Sequence, residues 1–298
     1  MSLKRTVRTA TGRLRRALPP TLVKRLRGVV QGWGLLTARW RPAPDFIVVG
    51  AQRSGTTSLF RLLAAHPLVR RPTQVKGVGY FDLEYDRGMR WYRSHFPLRR
   101  RSSGLLAFES SGYYLFHPLA ARRIAESLPD VKVVVVVRDP VERASSAHGH
   151  ERRRGFEDLD FEEALAREEE RLAGAVEQLT SDQHSENYEH RHHGYLARSR
   201  YHEQIERYVA ALGRERVFIV DAGRMFADPG SELQPLEEWL GLPRSTMPPL
   251  ERWNAGASAS LDPRLEERLR DYFEPLDRQL ADLMGRTPSW RSDQPLSD

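Results

Sequence analysis

Two short stretches carry side chains whose types and spacing can hold a phosphate-like anion. The first is Gly50-Ala-Gln-Arg53-Ser54-Gly55-Thr56-Thr57-Ser58. Its two glycines allow a compact turn whose backbone N–H groups converge, while Thr56, Thr57 and Ser58 add hydroxyl donors and Arg53 places a cation inside the turn. The spacing of Gly50 and Gly55 matches the nucleotide-binding P-loop, yet Thr56 stands where that motif needs a lysine. The second stretch runs from Arg138 to Ser146, directly after the apolar run Val133 to Val137. A forked guanidinium suits a phosphate dianion.

Such groups need a strand to deliver them and a helix to receive the anion. The run from Phe46 to Val49, closed by Gly50, reads as a buried strand, and Thr56 to Ala65 as a helix with Leu59, Leu62 and Leu63 on one face. The turn between them then faces the positive end of that helix. Five consecutive valines predict a strand covered on both faces, as central parallel strands are. Pro140 suits the first turn of the next helix, with Ser146 two turns along it. Leu105 to Glu109 reads as another strand, which leaves Glu109 either at the ligand-bearing carboxyl edge of the sheet or as the cap of the next turn.

Val69 to Asp82 is expected to be extended, Gly88 to Phe96 to form a short aromatic helix, and Leu196 to Leu212 a longer one. Arg216 to Asp221 supplies a further strand, and Leu261 to Gly285 a closing amphipathic helix with Leu265, Leu269, Tyr272, Phe273, Leu276 and Leu280 as its stripe. The alternation predicts an α/β fold in three layers: a P-loop-like parallel sheet flanked by helices, in a single domain over 45–298.

Composition bounds what this fold can do. A chain of 298 residues, 40% apolar, can bury a full core. It has no cysteine, so there is no disulfide framework and no thiolate metal site, which fits a reducing, cytoplasmic setting. No apolar run approaches the roughly 18 residues of a membrane span. Of 47 Lys and Arg, eleven lie in residues 1–44 with no acid among them, leaving 36 against 40 acidic residues, about −4, for the rest. Residues 1–44 are therefore a basic N-terminal tail, in which Leu14, Leu18, Leu22, Leu26, Val29 and Val30 interleave with the cations on either side of Pro19-Pro20. It reads either as a solvated or domain-packed arm or as a peripheral contact with an anionic membrane; nucleic acid is not an expected partner. It lacks the long apolar centre and cleavage site of a secretory signal.

The stretch from Gly149 to Gly194 is highly charged, with Phe161, Leu165 and Leu172 as its helical stripe, and is expected to be a flexible flap or acceptor-contacting insertion. His184, His190, His192 and His193 lie there in polar sequence without a carboxylate-rich helical frame. They read as solvated loop histidines, and no metal is expected.

Arg53-Ser-Gly-Thr-Thr57, with the later His66-Pro67, resembles the 5′-phosphosulfate loop of sulfotransferases that use 3′-phosphoadenosine 5′-phosphosulfate (PAPS), closest to the carbohydrate (heparan-sulfate-like) and bacterial branches. The resemblance implies that Arg53, Ser54, Gly55, Thr56, Thr57 and Ser58 hold the 5′-phosphosulfate. It also implies that Arg138 and Ser146, eight positions apart as in the family, bind the 3′-phosphate. Lys76-Gly77-Val-Gly79-Tyr80-Phe81-Asp82 is similar to a family segment in which a glutamate, the usual catalytic base, follows the lysine. Lys76, Tyr80, Phe81 and Asp82 match it; Gly77 replaces the glutamate and Gly79 the family histidine. Asn254 to Ser260, with Arg252 before it, stands where the family brings further cations onto the nucleotide.

The implied function is transfer of a sulfonate group from PAPS to a hydroxyl or amine of a small-molecule or glycan acceptor, without a metal. The expected catalytic set is Arg53, Lys76 and Glu109, with Glu109 taking the place of the missing base and His150, one turn beyond Ser146, as its competitor. A non-catalytic nucleotide- or glycan-binding module and a P-loop kinase are the alternatives. The first is motivated by Gly77 and Gly79; the second is opposed by Thr56.

Overall fold

A strand that is apolar at every position must be covered on both sides. The computed structural model, which describes residues 20–98, 104–245 and 261–292, shows how the chain does this. Helix α1 (Pro20–Leu36) precedes strand β1 (Phe46–Gly50), helix α2 (Thr56–Ala65) and the short β2 (Val69–Arg70). Next come α3 (Gly88–Ser94), β3 (Leu106–Ser110), α4 (Ala120–Ser127), β4 (Lys132–Val137) and α5 (Pro140–Arg154). The charged stretch folds as α6 (Phe161–Leu172), α7 (Ala175–Ser181) and α8 (Tyr188–His192). After it follow α9 (Tyr201–Leu212), β5 (Val217–Asp221), α10 (Ala222–Ala227), α11 (Pro229–Leu240) and α12 (Pro263–Met284).

The strands form one sheet in the order β2-β3-β1-β4-β5, and every pairing is parallel. On one face Ile47, Val49, Val133, Val135 and Val137 pack with Ile124 of α4, Ile205 and Tyr208 of α9 and Leu280 of α12. On the other, Phe46, Val48, Phe108, Val134 and Val136 pack with Leu59, Leu62 and Leu63 of α2 and Leu233 and Leu236 of α11. The result is the expected three-layer α/β fold.

Strand β1 lies between β3 and β4, at the point where the chain switches sides. The loops after β1 and β4 therefore emerge side by side at the carboxyl edge, where open parallel sheets bind ligands. Ala51 N continues the ladder by donating to Val136 O at 2.9 Å.

Three expectations need correction. Only Val69 and Arg70 of the stretch from Val69 to Asp82 pair as a strand; Pro72, Gly77 and Gly79 interrupt the ladder beyond them. The helix expected from Leu196 begins at Tyr201, because Arg198 and Ser199 turn inward, and Arg143 Nε donates to Ser199 Oγ at 2.6 Å.

The third correction concerns the charged insertion, which is built around buried polar groups. Glu157 accepts from Leu159 N, Arg171 Nη1 and Tyr195 OH. Burial pushes its carboxyl up, but Arg171 and these donors outweigh that and hold it at about 2. His190, His192 and His193 are not solvated. His190 stacks on Phe116 at 4.1 Å and contacts Tyr113 OH through Nδ1 at 2.7 Å. His192 Nδ1 meets Glu151 at 2.9 Å, and His193 Nε2 meets Phe156 O at 2.7 Å. Only His184 of the four is exposed, because the short helix α8 turns the other rings inward against aromatic neighbours. The first half of the basic tail and the stretch from Arg252 to Ser260 lie outside the described residues.

Phe108 is fully buried, with ring centroids 5.0 Å from both Phe46 and Phe60, so it ties β3 to β1 and α2. Phe108→Ala is expected to lower stability by about 3–5 kcal/mol, read as a lower urea midpoint at unchanged slope.

Candidate active site

Between β1 and α2 the chain turns with Arg53 at φ 71 and Gly55 at φ 91. That region is routine for glycine and costly for arginine, and such strain persists only where the surroundings enforce it. Arg53 is tied across the cleft: its Nε and Nη2 donate to Ser146 Oγ at 3.1 and 3.0 Å. The bond joins the loop to the second turn of α5.

The first turn of a helix leaves its N–H groups without intrahelical acceptors. Thr56 and Thr57 border the cleft at this end of α2. Lys76, from the segment before α3, donates from Nζ to Thr56 Oγ1 at 3.0 Å and to Thr57 Oγ1 at 3.3 Å. The cation that position 56 lacks is thus supplied from twenty residues further along the chain. Burial lowers its pKa to about 8.

Arg138 leaves the end of β4 and donates to Arg53 O at 3.3 Å. Its Nε and Nη2 engage Glu142 Oε2 at 3.0 and 2.7 Å. An exposed pair of this spacing is worth about 0.3–0.5 kcal/mol, so a phosphate dianion can take over the guanidinium fork. Asp139 caps α5 by accepting from Val141 N and Glu142 N at 2.9 and 3.1 Å.

The cleft has a volume of about 1200 Å³ and is bordered by Arg53, Lys76, Arg138, Arg154, Arg191, Arg198 and Arg270 against the three carboxylates Asp82, Asp139 and Glu142. Seven cations against three anions give a concave surface that concentrates negative ligands. Of the expected anion-binding residues, Arg53, Gly55, Thr56, Thr57, Arg138 and Ser146 border this one cleft, and Lys76, expected in the catalytic set, borders it too. Ser54 and Ser58 do not border it; both are buried behind the loop. Among the described residues no three His, Asp or Glu side chains gather as a metal site requires.

Glu109 is placed differently from its expected role. It is completely buried and does not border the cleft. Its Oε1 accepts from Tyr92 OH at 2.8 Å and Tyr114 OH at 3.1 Å. Its Oε2 accepts from Val78 N at 2.5 Å and Ser111 Oγ at 3.0 Å. Four donors fill the roughly four acceptor sites of a carboxylate, so none is left to take a proton from an acceptor. What Glu109 does is hold the Lys76 segment. Lys76 O accepts from Ser110 N at 3.0 Å, and Gly79 N donates to Ser111 Oγ at 3.3 Å, beside the Val78 contact.

Reasoning from sequence missed Asp82 as a site residue. It is buried but borders the cleft, with Oδ1 accepting from Leu83 N at 2.7 Å. Burial, assisted by the charge of Glu109, pushes its carboxyl up to about 7. The available signal was an acid closing the Lys76 to Asp82 segment. Arg198, also missed, lies over the rings of Tyr113 and Phe116 and donates to Gln52. His150 borders the cleft as well, its pKa lowered by burial and by Arg53.

Comparison with known proteins gives a consistent picture. The family described as "Sulfotransferase domain" matches residues 43–270. Bifunctional heparan sulfate N-deacetylase/N-sulfotransferase 1 of Caenorhabditis elegans is 28% identical over 205 residues, 67% of this chain and 22% of that protein. Heparan sulfate glucosamine 3-O-sulfotransferase 3A1 of Mus musculus is 25% identical over 284 residues, 86% of this chain and 66% of that protein. The crystal structure of a sulfotransferase from Alicyclobacillus acidocaldarius superposes with a TM-score of 0.64 at 31% identity, covering 84% of this chain and 100% of that one.

Gly77 marks a close backbone approach. A Cβ there would lie 2.4 Å from both Ser110 O and Ser111 Oγ. Gly77→Ala is therefore expected to cost about 1–3 kcal/mol of stability through overpacking. Thermal unfolding checks this, and a melting temperature equal to that of the parent would show that the segment has room.

Proposed function

The chain belongs to the sulfotransferase family, and from that premise we propose that it moves a sulfonate group from PAPS to a hydroxyl or amine of a carbohydrate acceptor. The observation that carries this reading is a pair of cations on either side of the loop between β1 and α2: Lys76 on Thr56 and Thr57 at the start of α2, and Arg53, whose guanidinium reaches Ser146 of α5. A 5′-phosphosulfate carries fewer charges than a triphosphate with magnesium, and hydroxyls, amides and these two cations suit it. Arg138 and Ser146 stand at the adjoining loop and helix for the 3′-phosphate, with Glu142 as the group that phosphate displaces. The heparan sulfate enzymes among the relatives motivate the carbohydrate acceptor. The cleft volume exceeds the usual single-ligand range, which leaves room for nucleotide and acceptor together.

In the proposed reaction the acceptor oxygen or nitrogen attacks sulfur while the bond from sulfur to the bridging oxygen breaks. Adenosine 3′,5′-bisphosphate leaves with that oxygen's negative charge. Lys76, Arg53 and the loop amides stabilise the charge as it grows. The acceptor's proton needs a base within hydrogen-bond reach. We assign that role to Asp82, which faces the cleft and titrates near neutrality, rather than to Glu109, which does not face it.

Two measurements test this reading. The kcat/KM profile is expected to be a narrow bell, rising through about pH 7 as Asp82 loses its proton and falling above about pH 8 as Lys76 loses its own. Asp82→Asn removes the acid limb and lowers kcat by about 10²- to 10⁴-fold, whereas Glu109→Gln keeps both limbs. The sign of the stability change is independent of turnover. Because the folded pKa of Asp82 lies above the unfolded value of about 3.9, the parent loses stability as pH rises from there through about 7. Asp82→Asn should accordingly melt above the parent at pH 8 and level with it under acid conditions. Normal turnover in that variant, with loss in His150→Ala, would transfer the role to His150.

The second measurement is calorimetry with adenosine 3′,5′-bisphosphate in the presence of a chelator. Binding is expected without divalent metal, and Arg138→Ala should weaken it by about 1.5–3 kcal/mol, as for a hydrogen bond to a charged group. Equal affinity in parent and variant would remove Arg138 from the phosphate site.

A further inference from the structure

Helix α1 is turned opposite to what packing alone would favour. Its docking face is made of small and polar groups. Gly34 lets it approach α3 so closely that a Cβ would stand 2.5 Å from Ser94 O. Gln31 Nε2 donates to Ser94 Oγ at 2.8 Å, and the buried Arg41, just beyond the helix, donates to Phe96 O. The apolar side chains point outward. Leu22, Leu26, Val29, Val30, Trp33 and Leu36 are all exposed, Val29 and Leu36 by 70% and 68%. Their spacing of three and four residues draws one stripe along the helix. Trp40, 55% exposed, follows just past the helix end.

A continuous apolar stripe of this length marks a surface that is covered in use, and its charge decides by what. Residues 1–44 hold eleven Lys and Arg and no acid, whereas the rest of the chain is slightly acidic. A second copy laid stripe to stripe would bring two acid-free basic segments together, and like charges oppose that. An anionic lipid surface attracts the cations and accepts the apolar side chains at once. The exposed Trp33 on the stripe and Trp40 just beyond it are of the residue type that suits the boundary between headgroups and acyl chains. No described helix is long and apolar enough to cross a membrane, so the geometry is that of a helix lying on one.

We propose that α1 is a membrane-docking helix that seats this protein on anionic phospholipid through its Leu22 to Leu36 stripe. The inference stands on the helix and does not depend on the reaction assigned to the cleft. It is tested with the purified full chain and vesicles of phosphatidylcholine, with and without phosphatidylglycerol, followed by co-sedimentation and tryptophan emission at low and high salt. Binding is expected with phosphatidylglycerol, weakened by salt, with a blue-shifted emission. The triple variant Leu26→Ser, Val29→Ser, Trp33→Ser should bind at least about tenfold more weakly while keeping the parent's melting temperature, since all three side chains are exposed. Arg25→Gln and Arg39→Gln should each lower binding by up to about fivefold. Absence of binding at low salt, or equal binding by parent and triple variant, would overturn the proposal. So would a dimer in sedimentation that the triple variant dissolves without any vesicle binding by the parent, which would assign the stripe to a second copy.

Discussion

A carboxylate that does not face the cleft sets the geometry of the groups that do. Glu109 is buried at the end of β3 with both oxygens fully engaged. Burying a charge is costly unless donors surround it, and a segment that supplies one of those donors is fixed by the same requirement. Val78 N is that donor, between Lys76 and Asp82. The ammonium and the carboxyl assigned to the chemistry are thereby anchored to a strand of the central sheet rather than left on a free loop.

The close approach around Gly77 follows from the same anchoring. Because Ser110 O and Ser111 Oγ occupy the space a side chain would need, the position that holds a glutamate in similar segments is closed here. The nearest carboxyl facing the cleft is then Asp82, five residues on and on the same segment. Its burial raises its pKa toward neutrality, while burial of Lys76 lowers that residue toward the same range. Desolvation moves an acid and a base in opposite directions, so burial at the edge of one cleft brings both groups toward neutrality.

The charged insertion and the basic segment show the limits of composition as a guide. Polar sequence folds firmly when its polar groups pair, as Glu157 does with Arg171 and Tyr195, and as His190, His192 and His193 do with Tyr113, Glu151 and Phe156. Conversely, the apolar residues of α1 remain outside, because Gly34 and Gln31 are the residues that match the surface of α3.

The sequence by itself determined the central apolar strands and the turn between β1 and α2. Strand and helix periodicity, five valines in a row and the Gly50 to Gly55 turn are local signals, and local hydrogen bonding and two-sided burial leave little choice in how they fold. It also brought Arg53, Arg138 and Ser146 together, since parallel neighbouring strands place their following loops side by side. Tertiary structure alone decided which groups face the cleft. Lys76 reaches the hydroxyls of α2 from twenty residues away, Glu109 turns inward to four donors, and Asp82, though buried, borders the cleft. These outcomes depend on which buried group finds a partner across elements distant in sequence. No periodicity records that, because a side chain's surroundings are set by what packs against it and not by its neighbours in the chain.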